Sequence, residues 1–306
     1  MSIKPGRLQA GDCVGIIAPA SPPDQESLQR SLSFLEGLGL KVKMGRYVKK
    51  EYGYLAGADA ERLEDLHEMF LDDEVKAVIC AGGGYGTARI ASEIDYSIIK
   101  AHPKIFWGYS DITFLHTAIY QETGLVTFHG PMLASDIGKQ DVHQDSKASF
   151  EQLFNGEGFV YSEQISRLET LVEGKAEGLF CGGNLSLMAS SIGTPFEIDT
   201  KDKIVLIEDI NEEPRAVDSM LNQLYMAGRL TGAAGFVIGN FNNCVSERKL
   251  SLSLDEVLDH YFKLAGKPCL KGFLIGHCSP HYAVPLGVHA LLDTRDKSVA
   301  FESGVS

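Results

Sequence analysis

Through residues 14–129 of the chain, short apolar runs alternate with segments whose apolar positions recur at helical spacing. The runs at 14–18, 41–44, 75–80, 105–107 and 126–129 predict strands, and the segments 26–38, 58–70, 87–94 and the stretch after Ser110 predict helices. Strands that alternate with helices form βαβ units, whose parallel sheet has to be covered on both faces. This half therefore predicts a doubly wound, mostly parallel α/β domain over residues 1–137.

Beyond it the texture changes. Residues 138–165 are polar and irregular apart from a short helical pattern at 147–154, and predict a connection. The second half, 166–306, carries closely spaced strand patterns at 166–172, 176–180, 204–207, 236–239, 284–288 and 299–301, with helices at 185–190, 216–227 and 254–264. These predict a β-rich α+β C-terminal domain. No internal repeat or heptad series interrupts either half.

Composition narrows the classes. A length of 306 residues exceeds what one core usually supports, and 44% hydrophobic with 23% charged residues is ordinary globular usage. No apolar run is long enough to cross a bilayer, and Gly11-Asp12 interrupts the start before a signal-peptide core develops, so a cytoplasmic protein without membrane contact is expected. A net charge of -13 without a dense basic patch argues against a nucleic-acid partner. Cys13, Cys80, Cys181, Cys244, Cys269 and Cys278 lack C-x-x-C spacing and read as reduced, mostly buried thiols.

The chemistry concentrates at turns after strands. Gly108-Tyr109-Ser110-Asp111 follows the apolar run at 105–107 and opens a helix, the context of a nucleophile elbow, with the Asp111 N–H turned toward a helix N-terminus that favours anions. The match to G-x-S-x-G is partial, because Ile112 stands where the second glycine belongs. Ser or Asp capping the helix is the commoner use of such residues. Ala81-Gly82-Gly83-Gly84-Tyr85-Gly86 lies at another strand end. It fails the dinucleotide spacing and lacks a Walker lysine, which leaves an oxyanion or carboxylate cradle from the Gly83 or Gly84 N–H, or a plain tight turn. Arg89 can fork onto a substrate carboxylate or sit in a surface salt bridge.

Gly182-Gly183-Asn184 reads as a similar turn before a helix, a pocket wall or an Asn184 cap. Glu208-Asp209 closes the apolar strand at 204–207, where a carboxylate can orient a histidine; ordinary acidic loop residues are the alternative, and Glu212 is a rival acid. His277 ends another apolar run. Its neighbour Cys278 points to the opposite face of an extended chain, which disfavours a cysteine–histidine pair. His277, Cys278 and His281 lack further partners at ligand spacing, so no metal and no cofactor is expected.

With Ser110, Glu208 and His277 in that order, the chain resembles the LD-carboxypeptidase family of serine peptidases, which also includes the microcin C self-immunity proteins. The resemblance extends from Gly11-Asp12 and Pro19-Ala20-Ser21, through Gly53-Tyr54-Leu55-Ala56-Gly57, Gly82–Gly86, Gly108-Tyr109-Ser110-Asp111, His129-Gly130-Pro131-Met132 and Gly182-Gly183-Asn184, to Glu208-Asp209, Gly276-His277 and Pro285-Leu286-Gly287. It implies Ser110 as nucleophile, His277 as general base and then acid, and Glu208 as the acid orienting His277. The Asp111 and Gly83 or Gly84 N–H groups would hold the oxyanion, and Arg89 would meet the substrate carboxylate.

The resemblance also implies a homodimer, and a small peptide as substrate: a cytoplasmic murein tetrapeptide whose terminal D-alanine is removed. Two other readings stand beside it. One is an amidase of aminoacyl-nucleotide antibiotics, for which the lone Trp107 and the compact stretch between Ser110 and Glu208 offer little stacking surface. The other is a non-catalytic α/β module that binds an anion at Gly82–Gly86.

Overall fold

A computed structural model describes residues 2–306. They divide into two compact units: the described residues up to Glu157 with Ser279–Gly287 and Ser303–Ser306, and Gly158–Cys278 with Val288–Glu302.

The first unit contains a six-stranded sheet. In chain order its strands are β1 (Cys13–Ile17), β2 (Lys41–Met44), β3 (Val75–Cys80), β4 (Ile105–Gly108) and β5 (Thr127–His129), and the late strand Val284–Leu286 lies beyond β5. β2, β1, β3, β4 and β5 are parallel neighbours in that order, and Val284–Leu286 joins β5 antiparallel. Both faces are apolar because alternate residues point opposite ways. Val14, Ile16, Ala77, Ile79, Ile105 and Trp107 enter one core with Leu28 and Leu35 of the helix Gln25–Gly37; Val78, Cys80 and Phe106 enter the other with Leu66, Met69 and Phe70 of the helix Asp59–Leu71. The sheet is doubly wound, as the pattern predicts. Its order reverses between β1 and β3, the switch point at whose strand ends α/β sheets leave a crevice.

Two assignments differ from the sequence reading. The segment read as a connection packs partly on the first sheet: Phe150 and Leu153 are fully buried in its core, and the Phe150 ring lies 4.3 Å from Trp107. Residues 284–286, read as part of the C-terminal domain, belong to the first sheet. Nothing local in Val-Pro-Leu encodes a partner more than 150 positions away.

The second unit holds an eight-stranded mixed sheet in the order Phe159–Ser162, Ser298–Phe301, His289–Asp293, Lys175–Asn184, Ile204–Ile210, Gly235–Asn242, Cys269–Lys271 and Glu169–Val172. The run from Lys175–Asn184 to Cys269–Lys271 is parallel, and the flanking strands are antiparallel. Helices Pro214–Met226 and Leu254–Ala265 bury Val217, Leu221, Leu224, Leu258 and Phe262 against Val205, Ile207 and Phe236. The sequence reading stops the strand at Phe180, yet it runs on through Gly182, Gly183 and Asn184. At Gly182 (φ +104°) a Cβ would collide with Leu206 O of the neighbouring strand, so glycine serves close strand approach there and not a turn.

One buried acid in the first unit sets a pH dependence. Asp65 is 2% exposed; its Oδ2 accepts the Tyr47 N–H at 3.0 Å, and its Oδ1 has no hydrogen-bond partner among the described residues. Burial pushes its carboxyl up to about 6 from the usual 3.8. The folded chain therefore holds this proton more tightly than the unfolded chain, and stability attributable to Asp65 falls as pH rises from 3.8 through about 6. Asp65→Asn keeps an acceptor for Tyr47 and should flatten that slope, gaining at most about 3 kcal/mol at neutral pH. Urea unfolding at a series of pH values checks this; a loss of stability uniform across pH would contradict it.

Candidate functional site

In the first unit the nucleophile candidate is raised by the elbow. β4 is fully buried, and the chain turns at Tyr109 into Ser110, which has φ 63°, before a 3-10 turn Ser110–Ile112 leads into the helix Thr113–Thr123. A non-glycine residue in the left-handed region costs on the order of 1 kcal/mol, and such strain gathers at functional positions. Gly108 makes the turn possible, since a Cβ there would lie 3.0 Å from Ile112 Cγ1 and 3.1 Å from Cys80 Cβ. Ile112, which stands at the second glycine position of the elbow pattern, is fully buried and packs against Gly108. His116, buried one turn along the helix, donates from Nε2 to the Gly108 carbonyl at 2.8 Å, and burial lowers its pKa to about 4, so it is neutral at pH 7.

Asp111 does not cap its own helix. Its buried Oδ2 accepts the Thr87 N–H at 2.9 Å, and Thr87 Oγ1 donates to the Asp111 carbonyl at 2.6 Å, tying the serine turn to the end of the glycine-rich turn. Burial raises the Asp111 carboxyl pKa, and the Thr87 hydrogen bonds oppose that rise. Gly83 stands against the serine: a Cβ there would lie 3.0 Å from Ser110 Cβ and 3.2 Å from Oγ. Gly84 (φ +108°) follows, and the N–H groups of Gly83 and Gly84 have no hydrogen-bond partner among the described residues. Two unpaired donors beside a serine hydroxyl can stabilise an oxyanion.

Arg89, read from sequence as a carboxylate receptor, is already engaged. Its Nε and Nη2 reach Asp59 Oδ1 and Oδ2 at 3.0 and 2.7 Å. Asp59 also pairs with Arg62, a fully buried guanidinium that donates to the carbonyls of Pro19 and Gly86. The exposed fork of Arg89 is thus the salt-bridge alternative, and Arg62, which sequence reasoning passed over, is the cation that braces the glycine-rich turn. Its signal was faint, since an Asp at i and an Arg at i+3 on a helix usually denote a solvated pair.

In the second unit, Glu208 is fully buried near the end of Ile204–Ile210, and its Oε2 accepts a hydrogen bond from His277 Nδ1 at 2.7 Å. Because the carboxylate can only accept, Nδ1 carries the proton and Nε2 is the acceptor. Glycines make room for the acid: a Cβ at Gly276 (φ +104°) would fall 2.7 Å from Glu208 Cδ, and one at Gly239 would fall 3.1 Å from Glu208 Cβ. Asp209 points the other way and caps the helix Leu185–Ser191, accepting from Asn184 Nδ2 at 2.9 Å and from the Ser186 N–H and Oγ at 2.9 and 2.8 Å. Glu212 lies outside the histidine's bond, its pKa raised by burial and by Asp209, and Glu213 pairs with Arg248 at 3.1 Å.

Among the described residues no three His, Cys, Asp or Glu side chains gather at metal-ligating distance, and no helix is long and apolar enough to cross a membrane. Trp107 is wholly buried, its Nε1 donating to Pro131 O at 2.7 Å, and presents no face to a ligand.

An acid-oriented imidazole, and a serine on a strained turn beside unpaired backbone donors, are the parts used in nucleophilic acyl transfer. Residues 14–130 match the model of the LD-carboxypeptidase N-terminal domain and 177–292 that of the C-terminal domain, so the chain belongs to the LD-carboxypeptidase family. It is 61% identical to a probable murein peptide carboxypeptidase of Bacillus subtilis, over 100% of this chain and 96% of the relative. Among solved structures it resembles the muramoyltetrapeptide carboxypeptidase of Oxalobacter formigenes (TM-score 0.83, 29% identity, 94% of this chain and 97% of the other). It also shares the fold of the microcin C7 self-immunity protein MccF (TM-score 0.91, 24% identity, 99% and 100%).

Proposed function

We propose that the protein is a serine carboxypeptidase that removes the terminal D-alanine from murein tetrapeptides in the cytoplasm, acting as a homodimer through Ser110, His277 and Glu208. The observation that carries the chemistry is the 2.7 Å bond from His277 Nδ1 to the buried Glu208, which orients Nε2 as a base. The substrate follows from the 61% identical murein peptide carboxypeptidase, similar over the whole chain.

In this mechanism His277 Nε2 takes the Ser110 proton as Oγ attacks the scissile carbonyl. The developing oxyanion is held by the Asp111 N–H and by that of Gly83 or Gly84. The imidazolium, steadied by Glu208, then protonates the departing D-alanine nitrogen. Water deprotonated by His277 attacks the acyl-serine, and collapse of the second tetrahedral intermediate returns the serine its proton. Arg89, the cation proposed for the leaving carboxylate, is held by Asp59, so meeting that carboxylate would require it to leave this pair.

Mass spectrometry of L-Ala-γ-D-Glu-diaminopimelate-D-Ala incubated with the protein tests the reading, with loss of a single alanine expected. An intact tetrapeptide together with cleavage of an aminoacyl sulfamoyl adenosine would replace it with the amidase. Neither reaction would leave an anion-binding module.

A further inference from the structure

We propose that Ser21 is a positioning residue that locks the oxyanion turn, an inference that rests on Ser110 being the nucleophile. Ser21 lies past the end of β1 and Gly83 past the end of β3, so the two loops face each other across the switch point of the first sheet. Three hydrogen bonds meet at this one residue. Its N–H donates to the Gly83 carbonyl at 3.1 Å, its Oγ accepts the Tyr85 N–H at 3.1 Å, and the same Oγ donates to the Tyr54 carbonyl at 2.8 Å.

These bonds set the Gly83–Gly84 peptide, whose N–H is one of the two candidate oxyanion donors, so the inference also rests on Gly84 serving as that donor. A trans peptide points its N–H opposite to its C=O, so fixing the Gly83 carbonyl on Ser21 also fixes the direction of the Gly84 N–H. The Oγ bond to Tyr85 then holds the following peptide, leaving the flexible Gly83-Gly84 pair pinned at both ends. The fit is close on that side as well: a Cβ at Gly84 would lie 2.5 Å from Ser21 Cβ, so the serine side chain occupies the space against which the glycine is held. The opposite neighbour of Gly83 is Ser110 itself. The hydroxyl also links the main chains of Tyr54 and Tyr85, whose exposed rings (66% and 52%) meet edge to face at 5.5 Å beside this turn.

A role confined to stability predicts something different from a positioning role. The Oγ bonds are solvent-exposed, so water can replace them after Ser21→Ala with little loss of stability. Ser21→Ala keeps the main-chain bond to the Gly83 carbonyl but releases the Tyr85 N–H, and water in that place does not hold the far end of the Gly83-Gly84 pair against the Tyr54 main chain, so the Gly84 N–H is pinned at one end only. Removal of one oxyanion donor costs roughly 10²–10³ in kcat, so a donor loosened but still present should cost roughly 10- to 100-fold.

The test uses the full chain and a fluorophosphonate probe, which phosphonylates an activated serine without needing a particular peptide. Ser21→Ala is expected to slow labelling of Ser110 at least about tenfold and to lower kcat on the tetrapeptide in parallel, with KM within about threefold and a melting temperature within about 3 °C of the parent. Labelling and kcat at parental rates would overturn the proposal, and so would a rate loss that merely tracks a fall in melting temperature. Labelling of Ser110 without alanine release would sink the murein reading and leave the Ser21 comparison intact. Absence of labelling in the parent protein would overturn both.

Discussion

Ser110→Ala is expected to lower turnover of the tetrapeptide by roughly 10⁴- to 10⁶-fold while leaving binding of the peptide nearly unchanged. Triad members act as a unit, so removal of the nucleophile forfeits the acyl-enzyme route whatever else remains. Ser110→Gly sharpens the expectation by opposing the two readouts. Glycine adopts φ 63° without a Cβ penalty, so this variant should be as inactive as the alanine variant yet equally or more stable, by up to about 1 kcal/mol. Chemical denaturation beside single-turnover kinetics would show it. A serine that merely capped the helix would give the reverse pattern, with activity kept and stability lost.

Much of this arrangement is legible in the chain because it depends on short-range rules. The alternation of apolar runs and amphipathic segments identifies β1 to β5 and the longer helices between them, though not the short helix Tyr96–Ala101, since strand and helix periods differ and the central strands bury both faces. The elbow is legible for the same reason: Gly108 followed by a serine before a helix is a local geometric requirement. What stays hidden depends on distance along the chain. Val284–Leu286 reads as a strand but not as a partner of β5, and Phe150 reads as a loop-helix residue but not as a neighbour of Trp107. Arg89 shows the limit for charges. Sequence reveals a cation after a glycine-rich turn, and only coordinates reveal that Asp59, thirty positions earlier, already fills its fork. Gly182 shows the limit for glycine, whose freedom serves a turn and a close strand contact equally well until the neighbour is known.

Glu208→Gln separates orientation from charge. Glutamine is nearly isosteric, so it fits the space left by Gly239 and Gly276, and replacing a fully buried acid with an amide should leave stability equal or higher. The chemistry should suffer nonetheless. A glutamine amide can donate to His277 Nδ1, which favours the tautomer with its proton on Nε2, and that nitrogen can no longer accept the Ser110 proton. The carboxylate that offsets the imidazolium is lost as well. From the behaviour of the analogous acid-to-amide change in serine proteases, kcat should fall by roughly 10³- to 10⁴-fold with KM little changed. Because the block is a misplaced proton, activity should recover partly as pH rises and hydroxide substitutes for the general base, whereas Ser110→Ala should show no such recovery. A full pH–rate profile for the two variants measures the difference. A Glu208→Gln enzyme with parental kcat at neutral pH would remove Glu208 from the mechanism and return Glu212, the rival acid just past the strand end, to consideration.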